Sequence, residues 1–114
     1  VLQRAALSTS EKGVIVYVDE NLSVNLCARQ VKVRGRAINL TPKEFELLSC
    51  LVKEAGHLFT CDELLKQVWS GEEANRAALK AYIWRLRQKI EENPHKPKYI
   101  LTRRGIGYFF KPLP

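Results

Sequence analysis

The sequence predicts an α+β fold with an N-terminal four-stranded antiparallel sheet, three helices and a C-terminal β-hairpin. Three observations predict it. The first 40 residues hold short runs rich in β-branched residues, two T-x-x-E motifs mark helix starts, and two apolar runs near the end flank a glycine pair. The 114 residues are enough for one domain with a buried core. We expect residues 1–12 to be a linker remnant and residues 13–114 to form the domain.

The four strands are predicted by short segments with many Val, Ile and Leu residues, separated by breaks such as Asp-Glu-Asn, Arg-Gln and a glycine. These segments cover residues 14–18, 23–28, 31–34 and 37–40. Because each break is only a few residues long, consecutive strands are expected to pair antiparallel.

The first helix has the strongest local signals. Thr41 is the predicted N-cap, Pro42 occupies the first helical position, and Glu44 completes the T-x-x-E capping box. The helix is expected to cover residues 42–55, with Gly56 as its C-cap.

Two further helices and a hairpin follow. Thr60 and Glu63 repeat the capping box and predict a short helix that ends near Trp69. After a turn at residues 70–74, a third helix is predicted at about 75–92, because Pro94 prevents its continuation. Residues 98–104 and 107–111 then form two strands on either side of the glycine tip.

The positive charge of the chain is concentrated near its C-terminus. The net charge is +7, but the last 40 residues hold ten basic and two acidic residues, whereas the first 74 residues have a net charge of −1. A one-sided positive field attracts polyphosphates such as nucleic acid, or an anionic membrane surface. The charge alone is also consistent with a merely solvated face.

The third helix has two faces of different chemistry. At 100° per residue its apolar residues share one side, as in a buried stripe. These residues are Leu79, Ile83, Leu86 and Ile90. The opposite side is small, basic and aromatic, and holds Ala77, Ala81, Trp84, Arg85 and Gln88, with Lys80, Arg87 and Lys89 on its flanks.

The second face has the chemistry that a DNA major groove requires. The groove is about 12 Å wide and admits a helix whose closest side chains are small, as Ala77 and Ala81 are. Arg85 could pair with guanine and Gln88 with adenine. Lys80 and Arg87, on the flank, are better placed for phosphate, which positions a protein without specifying sequence.

Catalysis, cofactors and metals receive no support from the sequence. We find no nucleophile with a base, no paired carboxylates and no metal-ligand spacing, so we expect neither an enzyme nor a cofactor. Cys27, Cys50 and Cys61 are odd in number and lack C-x-x-C spacing, which indicates reduced thiols in the cytoplasm. The sequence has no run of about 18 apolar residues, so it predicts no membrane span.

Residues 22–110 resemble the C-terminal DNA-binding domain of the OmpR/PhoB response regulators, a winged helix-turn-helix. Four segments carry the resemblance in the right order: LTPKEFELL (40–48), ELLKQVW (63–69), YIWRLRQKIE (82–91) and ILTRRGIGYFF (100–110). It implies binding to double-stranded DNA for transcription regulation, with the helix at about 75–92 in the major groove and the hairpin at 99–111, the wing, in the minor groove. It also implies a preceding receiver domain and homodimers on direct repeats.

The resemblance implies roles for single residues. Arg85 would read a base and Arg87 would grip phosphate, whereas Trp69 and Tyr82 match positions that contact the DNA backbone in relatives. The expected DNA-binding residues on the helices are Trp69, Arg76, Lys80, Ala81, Tyr82, Trp84, Arg85, Arg87 and Gln88. The turn of Ser70, Gly71, Glu72 and Glu73 matches a loop that meets RNA polymerase in some members.

In the hairpin, the resemblance assigns DNA contact to Thr102, Arg104 and Tyr108. They match the family's T-V-R-G-x-G-Y wing, whose arginine enters the minor groove. Arg103 is a further candidate contact, but the period of two along a strand directs it away from Arg104. We therefore expect Arg104 to matter more for DNA binding than Arg103.

Two alternatives remain open from the residues. Trp84 either contacts DNA or packs on the surface of the domain or of a neighbouring subunit, since its indole suits both. The chain also departs from the family's usual pattern at Ala77, Trp84 and Arg103. An exposed tryptophan and a small, apolar helix start would also suit a winged helix that binds protein or RNA instead of duplex DNA.

Overall fold

A computed structural model describes residues 6–9, 15–70 and 72–112. These residues fall into two compact units, one within residues 1–40 and the other at Thr41–Pro112. The predicted order of an antiparallel sheet, three helices and a hairpin is confirmed.

The first unit is a five-stranded antiparallel sheet in which consecutive strands are neighbours. Its strands are β1 (Ala6–Thr9), β2 (Ile15–Val18), β3 (Leu22–Asn25), β4 (Gln30–Val33) and β5 (Arg36–Ile38). The four predicted strands are β2 to β5, each with bounds shifted by one to three residues. Strand β1 was not predicted: it lies in the segment expected to be a linker, and it pairs with β2 from Ala6 opposite Val18 to Thr9 opposite Ile15.

Local chemistry shapes the turns of this sheet. The Asp19 carboxylate accepts hydrogen bonds from the backbone N–H groups of Asn21 and Leu22, at 2.8 and 2.7 Å. Arg34 and Gly35 connect β4 to β5 with φ values of 52° and 80°, the two positive values that a type I′ hairpin turn requires. The resulting register places Leu22, Val24 and Val31 on one buried face.

The second unit contains the helices α1 (Pro42–Lys53), α2 (Cys61–Val68) and α3 (Arg76–Ile90). Both predicted capping boxes are confirmed, with Thr41 and Glu44 at α1 and Thr60 and Glu63 at α2. The expectation that Gly56 caps α1 is wrong. The helix ends earlier, with Glu54 as its C-cap, and Gly56 (φ 89°) lies in a turn closed by the His57 N–H, which donates to the Glu54 carbonyl.

A three-stranded sheet completes the second unit. It consists of β6 (Phe59–Thr60), β7 (Ile100–Arg103) and β8 (Gly107–Phe110), with β8 in the centre. Strand β6 is only two residues long and was not predicted. It approaches β8 so closely that a Cβ atom at Gly107 would overlap the carbonyl oxygen of Phe59. Glycine is therefore required at this position by the passing backbone.

The predicted apolar stripe of α3 is confirmed, because Leu79, Ile83, Leu86 and Ile90 are all at most 1% exposed. The three helices contact one another, and α1 also contacts β8. Burying one Leu or Ile side chain contributes about 1.5 to 3 kcal/mol, so this stripe fixes the outward direction of the opposite face. Among the described residues, no helix is long and apolar enough to cross a membrane.

Candidate nucleic-acid interface

The outer face of α3 and the tip of the β7–β8 hairpin lie in the same compact unit and are both exposed. The exposed α3 residues include Arg76, Lys80, Ala81, Trp84, Arg85 and Gln88, and the exposed hairpin residues include Thr102, Arg103 and Arg104. The structure therefore brings most of the expected DNA-binding residues to the surface. The exceptions are Trp69, Tyr82, Arg87 and Tyr108, which are buried or half-buried.

The N-terminus of α3 presents small side chains and one arginine. The Asn75 side chain caps the helix by accepting a hydrogen bond from the Ala78 N–H at 2.9 Å. Ala77 and Ala81 are exposed, so the backbone can approach a partner closely. Arg76 is 3.6 Å from Asp62 in an ion pair whose two side chains are more than 70% exposed, so the pair holds the guanidinium only weakly.

A stack of aromatic and cationic side chains supports Arg85. Its guanidinium carbon lies 5.0 Å from the centre of the Tyr82 ring, a cation–π distance. The Tyr82 ring meets Trp69 edge-on at 5.2 Å, and Lys43 Nζ is 5.8 Å from the Trp69 ring. Tyr82 thus limits the positions available to Arg85 while leaving it exposed.

Trp69 is only 7% exposed, so most of its indole is covered. Its backbone N–H donates to the Leu65 carbonyl and caps α2. This placement leaves little indole surface for the expected contact with the DNA backbone. The contact remains a prediction.

Arg87 is half-buried between α3 and the hairpin. Its Nε and Nη2 atoms donate to the Ile100 carbonyl at 3.0 and 2.8 Å, and Nη2 also donates to the Thr102 hydroxyl at 2.7 Å. Burial lowers the pKa of Arg87 and raises that of Tyr108, whose ring centre is 5.9 Å from the guanidinium. Two residues expected to touch DNA, Arg87 and Thr102, therefore bind each other.

The hairpin tip is a turn at residues 103–106. The Ile106 N–H donates to the Arg103 carbonyl at 3.0 Å, and Gly105 has a φ of 78°, the positive value found at the third position of type II turns. Arg104 occupies the second position of this turn. Arg103 is the last residue of β7 and pairs with Gly107, whereas Thr102 pairs with Tyr108 on the opposite face of the ribbon.

Two exposed apolar side chains flank these basic residues. Trp84 is 38% exposed and its ring is 5.1 Å from that of His95, just beyond α3. The indole therefore makes one contact with the surface of its own domain, which is one of the two expected alternatives. Ile106 is 47% exposed at the hairpin tip. The exposure of Ile106 was not predicted from the sequence, although an isoleucine between two glycines at a turn has little around it to bury it.

Lys43 of α1 binds the end of α2 and the loop that follows it, a role that was not predicted from the sequence. Lys43 Nζ donates to the Val68 carbonyl at 3.0 Å and pairs with the Glu72 carboxylate at 2.9 Å. Ser70, Glu72 and Glu73 are exposed, and Gly71 lies outside the described residues. No signal in the sequence connects Lys43 with Glu72, because 29 positions separate them.

Lys89, expected on the flank of the outer face, is turned toward α1. Its ammonium group donates to the Glu44 carboxylate at 2.6 Å, and Glu44 is 2% exposed. Burial raises the pKa of Glu44, but the hydrogen bonds from Lys89 and the Thr41 N–H outweigh it and lower the pKa. Within the described parts of the chain, no cluster of His, Cys, Asp and Glu could hold a metal ion.

Comparison with known proteins identifies the family. A family model described as "Transcriptional regulatory protein, C terminal" matches residues 35–110. The chain belongs to this family. Among solved structures, the chain is similar to the response regulator DrrB, a Thermotoga maritima OmpR/PhoB homolog, with 33% sequence identity and a TM-score of 0.79. This chain is covered over 84% of its length but spans only 44% of DrrB. The resemblance to the OmpR/PhoB group is confirmed.

Two isolated DNA-binding domains match over nearly their whole length. The RstA DNA-binding domain of Klebsiella pneumoniae, solved in complex with the RstA box, is 30% identical with a TM-score of 0.74, and the match covers 85% of this chain and 97% of that domain. The DNA-binding domain of Bacillus subtilis CssR is 26% identical with a TM-score of 0.62, with coverages of 92% and 99%. The similarity therefore extends over nearly all of both DNA-binding domains.

Proposed function

We propose that this domain binds double-stranded DNA in a sequence-specific manner and regulates transcription as the effector domain of a response regulator. The observation that supports this most is the common exposure of the small, basic face of α3 and the arginine-bearing hairpin tip in one compact unit. Both lie in the segment that holds all the excess positive charge. Family membership and the RstA complex with its box support the same function.

The two exposed elements suit different grooves. Helix α3, with Ala77 and Ala81 at its surface, would enter the major groove, where Arg85 and Gln88 can pair with base edges. The narrow hairpin would enter the minor groove with Arg104, because narrow A·T-rich grooves attract arginine by their negative potential. Lys80 would contact phosphate.

Further assignments belong to the same proposal. The exposed loop residues Ser70, Glu72 and Glu73, held by Lys43, are suited to contact RNA polymerase. The family resemblance implies homodimers on direct repeats, a phosphorylated receiver domain in the full-length protein and a cytoplasmic location. The domain would bind and not catalyse.

Selection from a random duplex pool, followed by titration of the best site across a salt series, tests the proposal. We expect one enriched site, with log K falling linearly against log salt at a slope of about −0.9 for each phosphate contacted. A random duplex and an RNA duplex are the controls. No enriched site, together with equal affinity for the RNA and the random DNA, would support the alternative of an RNA-binding or protein-binding module instead.

A further inference from the structure

Arg87 joins the two elements that we propose to enter the two DNA grooves. It lies in the last turn of α3, and its guanidinium forms a fork on β7 with three hydrogen bonds of 2.7 to 3.0 Å to Ile100 and Thr102. Thr102 is separated from the proposed minor-groove residue, Arg104, by one residue. The fork therefore attaches the recognition helix almost directly to the wing tip.

The environment of Arg87 favours this attachment. The Tyr108 ring, which pairs with Thr102 across the hairpin, lies 5.9 Å from the guanidinium and covers it on one side. Ile100 is also fixed through its N–H, which donates to the Glu91 carboxylate at the end of α3 at 2.9 Å. Both backbone polar groups of Ile100 are thus bonded to side chains of α3 or its C-cap.

The geometry restricts what else Arg87 can do. A buried carbonyl that loses its donor is costly, and hydrogen bonds from a charged donor are stronger than neutral ones. A phosphate that recruited the fork would have to replace these bonds. The exposed Lys80 and Arg85 are available for DNA contact without any such exchange.

We propose that Arg87 is a positioning residue, which holds the wing at a fixed distance from α3 so that Arg104 reaches the minor groove while α3 occupies the major groove. This rests on the proposed function and changes the role of Arg87 from phosphate contact to coupling between the two DNA-binding elements. The energetic benefit of Arg104 then depends on Arg87, although the two side chains are not bonded to each other.

A double-mutant cycle on the selected site separates the two roles. Arg87→Lys keeps a positive charge that can reach phosphate but lacks the planar fork. We expect Arg104→Ala to weaken DNA binding about tenfold in the wild-type background and less than about twofold in the Arg87→Lys background. Equal losses in both backgrounds would overturn the proposal, because a phosphate contact and a groove contact should be additive.

Arg103→Ala is the matched control. It removes the same charge one residue away, at the last position of β7 and not in the turn. Its smaller effect should be the same in both backgrounds. If Arg87→Lys reduces the Arg103 and Arg104 effects alike, the change acts on both arginines regardless of where they lie in the hairpin, and the positioning role is wrong.

A measurement without DNA tests the attachment independently. In ¹⁵N relaxation of the free domain, Arg87→Lys and Thr102→Val should both lower the order parameters of residues 101–106, with those of α2 unchanged. Unchanged order parameters at the wing would contradict the proposal. If the wild-type domain binds no duplex, the proposed function fails, whereas this measurement still reports whether Arg87 fixes the wing.

Discussion

Single side chains of α3 have distinct roles because their surroundings differ. Arg85 rests on Tyr82 and stays exposed, whereas Arg87, two residues later, is half-buried and bonded to β7. Both are arginines of one helix turn, and the helical rotation of about 200° between them separates the two roles. Of these two, Arg85 is the one whose side chain is exposed.

Arg85→Ala should weaken binding to the selected site by about 1 to 3 kcal/mol and relax the preference at one base pair. The reason is that a bidentate contact to guanine carries that discrimination. Titrations against sites with each base pair replaced in turn measure it. A uniform loss over all of these sites would mean that Arg85 contacts phosphate.

At the scale of elements, features that depend on residues close in sequence could be predicted, whereas features that depend on contacts between distant residues could not. Both capping boxes depend on residues three positions apart, so Thr41 with Glu44 and Thr60 with Glu63 could be identified from sequence. Strand β6 could not, because two residues have no periodicity and exist as a strand only through pairing with β8, more than 40 positions away.

In the candidate site too, local features could be predicted from the sequence and long-range contacts could not. The buried and exposed faces of α3 follow from helical periodicity, so the exposure of Arg85 and Gln88 was predictable. The fork of Arg87 on Ile100 and Thr102 depends on how the hairpin packs against α3, which no spacing in the sequence specifies.

Gly107→Ala should destabilise the domain by about 3 kcal/mol, the upper end of the usual cost of overpacking, because the new Cβ atom would overlap the Phe59 carbonyl oxygen and force β6 away from β8. Urea denaturation measures this. Gly105→Ala is the matched control, because nothing lies within 4 Å of the added Cβ atom. The positive φ of Gly105 still makes this substitution unfavourable, at a cost of about 1 to 2 kcal/mol. Equal losses would show that β6 can give way.

At the scale of the whole molecule, buried charge makes stability depend on pH. The Glu44 carboxylate is inside the second unit, where it accepts hydrogen bonds from the Lys89 ammonium and the Thr41 N–H. Its pKa is lower in the folded state than in the unfolded state, so the folded state favours the ionised form. The resulting stabilisation of the folded state is fully present at pH values above the pKa of Glu44 in the unfolded state. It is lost as the pH falls through the pKa of Glu44 in the folded state.

Glu44→Gln should therefore lower the free energy of unfolding by about 1 to 3 kcal/mol at pH 7. The difference from the wild type should shrink as the pH falls below about 4.3, the value of an unperturbed glutamate, and through the lower folded pKa. Urea denaturation at pH 7 and at pH 3 measures both. Glu63→Gln, at the equivalent but exposed position of the second capping box, should have a smaller effect. A difference that stays constant with pH would show that ionisation of Glu44 contributes nothing.

The bonds that Arg87 and Glu91 make to Ile100 also bear on self-association. Strand β7 lies at the edge of its sheet, and an edge strand with unpaired backbone groups can accept a strand from another chain. At Ile100 the N–H and the carbonyl are both bonded to side chains of the same domain. A foreign strand cannot add there without displacing them, so the wing is protected against aggregation at its base.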